Sequence, residues 1–290
     1  MNYQLKNEFL TVEISDRGAE LQSIRGADGT EYLWQGDKAS WADRAPVLFP
    51  FCGRLWEGKC TDAGIPCNPE VHGFLRFMTT EVTEKSDTSV TFRARDNAET
   101  LKNYPYPFEV RLIFSLQDRT LTTRTEIVNR GERVMPFALG LHPGFSLPFA
   151  GGTIGDYTVR FEGATGTLQR LNFDEGECFP TGGSRDFPLR DGEFFDPTDA
   201  FFEAGSAFFC EMPRSVMLEK RGTDRRIAMN FPDFCYFGLW KVPGARFLCM
   251  EPWTSLPALH GVVTELTEKP DLVRLATGEQ KSLLCTITFC

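Results

Sequence analysis

The sequence predicts an all-β chain, closed as a sandwich or a barrel. Three observations carry the prediction: apolar and polar residues alternate with a period of two, turn residues interrupt these runs at short intervals, and 26 Phe dominate the aromatic residues. Successive side chains of a strand point to opposite faces, so a run with that period buries one face on a core. The pattern is clearest from 108 to 116, where Phe108, Val110, Leu112, Phe114 and Leu116 share a face opposite Glu109, Arg111 and Ser115. Leu10, Val12 and Ile14, then Val90, Phe92 and Ala94, then Leu283, Cys285, Ile287 and Phe289 repeat it. Between the runs stand Asp16-Arg17-Gly18, Asp28-Gly29, Asn129-Arg130-Gly131 and Arg221-Gly222, residue types that tolerate tight turns. Residues 116–120 join two strong strands and predict a hairpin. No helical period is sustained beyond about three turns. Phe suits strands because its ring fits a half-buried pleated surface.

A chain of 290 residues has room for two domains, but all-β units commonly run past about 200 residues, and no linker divides this one. The Gly-rich stretches 150–156 and 173–191 read as long loops on a scaffold. One domain over residues 1–290 is the expectation.

Composition excludes several classes. Basic residues number 31 against 40 acidic, a net charge of −9, and the basic stripe that nucleic-acid binding needs is missing. The densest basic cluster, Lys220, Arg221, Arg225 and Arg226, encloses Asp224 and reads as a solvated turn. Without a long apolar run or an apolar N-terminal region, neither a membrane helix nor a signal peptide is expected. The expectation is a soluble, cytoplasmic monomer or homodimer. Nine Cys with no CxxC pair read as buried free thiols of a reducing compartment. Cys52, Cys60 and Cys67 cluster, but their spacing does not match a zinc knuckle, so no metal is expected. GxGxxG, P-loop, GxSxG and HExxH motifs are all missing, which argues against a nucleotide cofactor, a serine hydrolase and a zincin; no cofactor is expected.

Residues able to carry chemistry stand in four places. Of three His, His72 and His142 each end an apolar run and precede Gly or Pro-Gly, which sets an imidazole at the rim of a sheet. A lone His at a strand end is more often structural, and His260 is read that way; two in matching contexts point to a site. Glu251 closes the apolar run 247–250 and is followed by Pro252. A carboxylate so placed loses solvation, which raises its pKa and suits it to general-base work; pairing with an Arg is the alternative. Arg54 ends the most apolar stretch of the chain and Arg76 follows His72 by four residues; either could neutralise Glu251 or hold a ligand.

In order, LFPFCGR at 48–54, HGFLR at 72–76, LHPGF at 141–145 and LWKVPGARFLCMEPW at 239–253 resemble the aldose 1-epimerase (galactose mutarotase-like) superfamily, most closely its LacX-like bacterial branch. GAELQSI at 18–24, EYLWQGD at 31–37 and Trp41 fit the same branch, so the likeness covers nearly the whole chain. The resemblance implies a large antiparallel β-sandwich, the galactose mutarotase-like supersandwich, with a sugar cleft across one concave sheet. It implies cofactor-free interconversion of the α and β anomers of an aldose. The family's acid falls on His142, its base on Glu251, its second histidine on His72 and its substrate arginine on Arg54. Arg76 joins the expected substrate contacts on its charge, and Trp240 as an apolar platform for the sugar. The substrate-binding Asp of relatives is matched best by Asp199, with Asp196 as competitor.

The chain departs from many galactose mutarotases where Phe145 and Ser146 follow Gly144, in place of the usual Asn. This departure weakens any transfer of a galactose preference, and free and phosphorylated hexoses both fit, with Arg54 or Arg76 on a phosphate. Rival readings are a non-catalytic carbohydrate-binding protein, a scaffold exposing an apolar patch, and a glycoside hydrolase, whose chemistry usually needs two carboxylates.

Overall fold

The hairpin expected around 116–120 forms the middle of the largest sheet. In the computed structural model, which describes residues 1–174, 176 and 179–290, Phe108–Gln117 pairs antiparallel with Thr120–Asn129 along its whole length. Asp118, at φ +49°, makes the turn. Phe108, Val110, Leu112 and Phe114 are buried, as their alternation requires. Glu109, on the opposite face, is also covered: Arg95, Arg111 and Arg130 converge on its carboxylate. Long Arg stems can bury a neighbouring charge while keeping their own heads wet.

The nine-stranded sheet runs in the order Phe194–Phe195, Tyr157–Phe161, Ser215–Lys220, Arg226–Asn230, Gln280–Phe289, Thr120–Asn129, Phe108–Gln117, Ser89–Arg95, Glu81–Lys85. A second sheet, of eight strands, runs Pro180–Pro188, Thr167–Phe173, Ala207–Cys210, Tyr236–Trp240, Phe247–Trp253, Gly140–Leu141, Val47–Leu48, with Gly144–Ser146 also paired to Phe247–Trp253. Neighbours in both sheets are antiparallel. The sheets face each other through interlocking rings: Phe161 of the first lies edge-on to Phe209 and Phe237 of the second, with centroids 5.4 and 6.1 Å apart. This is a β-sandwich, not a closed barrel.

Two segments differ from expectation. Residues 173–191 are not one loop: Pro180–Pro188 is an edge strand on Thr167–Phe173. Its side chains are exposed almost throughout, so it has no core face and carries no alternation to read. The cysteines also divide. Cys52, Cys60, Cys67, Cys249 and Cys285 are buried free thiols, but Cys235 is exposed and Cys210 and Cys290 are half-buried. Cys178 lies outside the described residues. Among the described residues no helix is long and apolar enough to cross a membrane.

The strand Phe247–Trp253 is enclosed on both faces, and all seven of its residues are buried. Leu248 and Met250 join the main core. Phe247, on the other face, packs against Trp34, Trp41 and Trp240. A strand so covered reads as a continuous apolar run, and Glu251 stands inside that run.

Candidate active site

Alternation along Phe247–Trp253 sets Cys249 and Glu251 on the face opposite Leu248 and Met250, while Trp253, at the end of the strand, both lines the cleft and joins the main core. Gly238 pairs with Glu251 from the neighbouring strand; a Cβ there would meet the Phe208 ring at 2.6 Å. On the other side the chain runs Gly140–Leu141, jogs through His142 and Pro143, and resumes as Gly144–Ser146, both pieces pairing with Phe247–Trp253. Pro143 accepts the Met250 N–H, and the His142 N–H donates to the Pro46 carbonyl. The jog swings the imidazole over Glu251, and His142 Nε2 lies 3.2 Å from Glu251 Oε2. Gly144 keeps the jog tight, since a Cβ there would strike the Trp41 ring at 2.6 Å.

His72 arrives by a strained turn. Its φ is +66°, uncommon for a residue with a side chain, and Gly73 follows at φ +72°. The turn is held by Gly53: its N–H donates to His72 Nδ1 at 3.0 Å, and its carbonyl accepts the His72 N–H. A ring nitrogen that accepts cannot carry the proton, so neutral His72 presents an Nε2–H donor. Its ring stands edge-on to His142, with centroids 5.5 Å apart.

These groups floor a cleft of about 340 Å³, with Arg54 and Arg76 on its rim and Trp41, Trp240 and Trp253 as walls. Trp41 stacks on His142 at 5.0 Å, and Trp240 meets the same ring edge-on. Arg76 does not neutralise Glu251, since it pairs with Asp43. Burial raises the Glu251 pKa well above the usual carboxylate range and lowers His142 to about 3. His72 is pushed well down by burial, then by the charges of His142, Arg76 and Arg54. Burial thus disfavours the charged form of both groups, favouring the carboxylic acid at Glu251 and the neutral imidazole at His142.

Six of the seven residues singled out from the sequence line this cleft; Asp199 does not. It opens the short helix Asp199–Phe202, where its carboxylate pairs with the buried Lys241 ammonium and accepts the Gly244 N–H. Asp196 is held by Arg190, Arg221 and Thr158, also away from the cleft. Both carboxylates line a separate hollow of about 320 Å³, with Tyr157 and Arg221. Trp41, Phe208 and Trp253 line the cleft without having been singled out as site residues. Their signal was weak, because an aromatic ring in this chain is far more often core than wall. A second hollow, of about 380 Å³, is apolar along Leu259, Val262 and Val263 and contains no His.

Comparison with known proteins bears on the family and the fold. The family profile described as Aldose 1-epimerase matches residues 1–234 and stops short of Glu251. The chain is 31% identical to the chromosomal LacX protein of Lactococcus lactis subsp. lactis over 287 residues, covering 95% of each. It is 24% identical to the uncharacterized protein YphB of Escherichia coli K12, covering 96% of this chain and 94% of that one. A galactose mutarotase-like protein of Lactobacillus casei superposes over 100% of both chains with a TM-score of 0.94 at 30% identity. A galactose mutarotase related enzyme of Lactobacillus acidophilus superposes over 100% of this chain and 97% of its own, with a TM-score of 0.92 at 27% identity.

Proposed function

This chain belongs to the aldose 1-epimerase family, and from that premise we propose that it interconverts the α and β anomers of an aldose by acid–base ring opening at Glu251 and His142. The observation that carries the proposal is the 3.2 Å contact between His142 Nε2 and Glu251 Oε2 on the floor of the cleft. A hemiacetal opens when a base takes the anomeric hydroxyl proton while an acid protonates the ring oxygen. Rotation about the C1–C2 bond and closure with reversed roles give the other anomer. One proton shared by an acid–base pair suffices for both directions.

Burial, which raises the pKa of Glu251 and lowers that of His142, biases that proton toward Glu251. Sugar hydroxyls entering the cleft donate hydrogen bonds to the carboxylate and restore the solvation that burial removed, which lowers its pKa. The proton then passes across the short contact to His142. Glu251 becomes the base and His142 the imidazolium acid, each proton transfer contributing about 10²–10⁴-fold. His72 Nε2–H and Arg54 donate to the ring oxygen or hydroxyls. Arg76 reaches the substrate from the rim, and Trp240 and Trp41 face its apolar side. Residues 1–290 act as one domain, a reading supported by one buried apolar cluster that runs from Leu5 to Phe289. Hydrolysis of glycosides is disfavoured, because among the described residues Glu251 alone brings a carboxylate to the cleft lining, and that chemistry usually uses two.

The test is anomer exchange followed by NMR on freshly dissolved α-D-glucose, α-D-galactose and their 6-phosphates. Wild type is expected to accelerate at least one of them. Glu251→Gln and His142→Asn, still folded, are expected to fall by about 10²–10⁴-fold. Wild-type rates equal to buffer for every sugar would leave a non-catalytic sugar-binding protein as the better account.

A further inference from the structure

We propose that the floor of the cleft is also a binding site for a thiophilic divalent cation, Zn²⁺, held by Cys249 Sγ, His142 Nε2 and a Glu251 carboxylate oxygen. Cys249 and Glu251 are two residues apart on one strand and so share a face, and the jog at His142–Pro143 brings the imidazole to the same place. Ligand atoms of all three lie within 4.8 Å of one another. The nitrogen and oxygen already stand at 3.2 Å. Two ligand atoms bound to tetrahedral zinc at about 2.0–2.1 Å are about 3.3 Å apart, so that edge of the coordination shell is preformed. Only the thiol, with its longer bond of about 2.3 Å, has to swing inward.

The donor types select the metal. Thiolate, imidazole and carboxylate together suit zinc, whereas magnesium and calcium favour all-oxygen shells. Charge favours it as well. On binding, the Cys249 thiol and the Glu251 carboxyl each release a proton to solvent, and a thiolate, a carboxylate and a neutral imidazole balance Zn²⁺ to zero net charge. A neutral complex avoids most of the cost of burying an ion at a site where Cys249 is fully buried and Glu251 is 2% exposed. The ion enters from the cleft, which His142 and Glu251 line. The thiol has no hydrogen-bond partner among the described residues, so coordination breaks no existing bond of the sulfur. The site stands on geometry alone. Its consequence rests on the function proposed above: zinc occupies both members of the acid–base pair and blocks anomer exchange.

Co²⁺ serves as the probe, because a cobalt–thiolate bond gives a charge-transfer absorption that oxygen and nitrogen ligands do not. Reduced, metal-free full-length protein is titrated with Co²⁺ and then with Zn²⁺. The expected result is one cobalt per chain with that absorption, erased by zinc. Cys249→Ala is expected to lose the band, and His142→Asn to weaken cobalt binding at least roughly 10- to 100-fold. A Cys60→Ser/Cys67→Ser double variant, which removes two buried thiols that are cross-strand neighbours elsewhere in the fold, is expected to keep it. Circular dichroism confirms that each variant is folded, and Cys249→Ser replaces Cys249→Ala if the latter is not. No band in wild type, a band that survives loss of Cys249, or a band lost only in the double variant overturns the proposal. In a second arm, the ratio of exchange rates with and without Zn²⁺ is expected to drop in wild type and to stay near one in Cys249→Ala. Metal-free wild type that exchanges no faster than buffer defeats the enzymatic reading, while the cobalt band still decides the metal site.

Discussion

At the scale of single residues, Glu251 and His142 are held in protonation states that burial sets, and each makes stability depend on pH. The folded pKa of Glu251 lies above its ordinary value. Between those two values the unfolded chain sheds a proton that the folded chain keeps, so stability falls as pH rises through that window. His142 works from the other side. Lowered from 6.5 to about 3, it refuses a proton that the unfolded chain accepts, so stability falls as pH drops from about 6.5 toward 3. Glu251→Gln is therefore expected to raise Tm at neutral pH, by a few degrees at about 2–4 °C per kcal/mol, with a smaller gain near pH 4. Equal Tm gains at both pH values would show that Glu251 ionises as easily folded as unfolded. His72 offers a second test. Asn tolerates positive φ and can still accept the Gly53 N–H, but it lacks a donor placed like Nε2–H. His72→Asn should stay within about 1 kcal/mol of wild type and lose exchange rate, whereas His72→Val should also lose about 1–3 kcal/mol to backbone strain. Chemical denaturation read beside NMR exchange separates the two.

At the scale of elements, the site is made by an interrupted strand and its loops. The jog between Gly140–Leu141 and Gly144–Ser146 supplies His142, while the loop after Tyr236–Trp240 is tied by the Asp199–Lys241 pair. Lys241 is buried, and its partner Asp199 is 44% exposed. Asp199→Asn should cost about 1–3 kcal/mol, since it leaves the ammonium poorly paired, with half-exposed Asp199 moderating the loss. Its effect on exchange should come through the position of Trp240 alone. A rise in KM with no loss of stability would instead place Asp199 on the sugar.

At the scale of the whole molecule, two sheets share one core, and rings from both close the gap between them. Phe161 is fully buried there against Phe209 and Phe237. Phe161→Ala should cost about 3–5 kcal/mol, with an early chemical denaturation midpoint, because its strand is paired on both sides and collapses poorly around a cavity. A loss below about 1 kcal/mol would mean that the sheets pack independently of that ring. Phe161, Phe209 and Phe237 do not line the cleft, so exchange measured well below the transition should change little.

What the sequence determined by itself was local. Alternation from Phe108 to Leu116 revealed a strand and its buried face, because side-chain direction follows from backbone geometry alone. The ordered segments around Arg54, His72, His142 and Glu251 marked six residues that line one cleft: those four stand where an apolar run meets Gly or Pro, Arg76 was legible by its charge and Trp240 by its ring. The tertiary structure decided what depends on which strands lie side by side. It set the 3.2 Å contact of His142 with Glu251, gave Arg76 to Asp43, and sent Asp199 to Lys241. It also made a strand of Pro180–Pro188, whose exposed faces carry no period, and brought Cys249 beside His142 and Glu251. Such neighbours join residues far apart in the chain, and burial, which sets the charge of His142 and Glu251, exists only once those strands have packed.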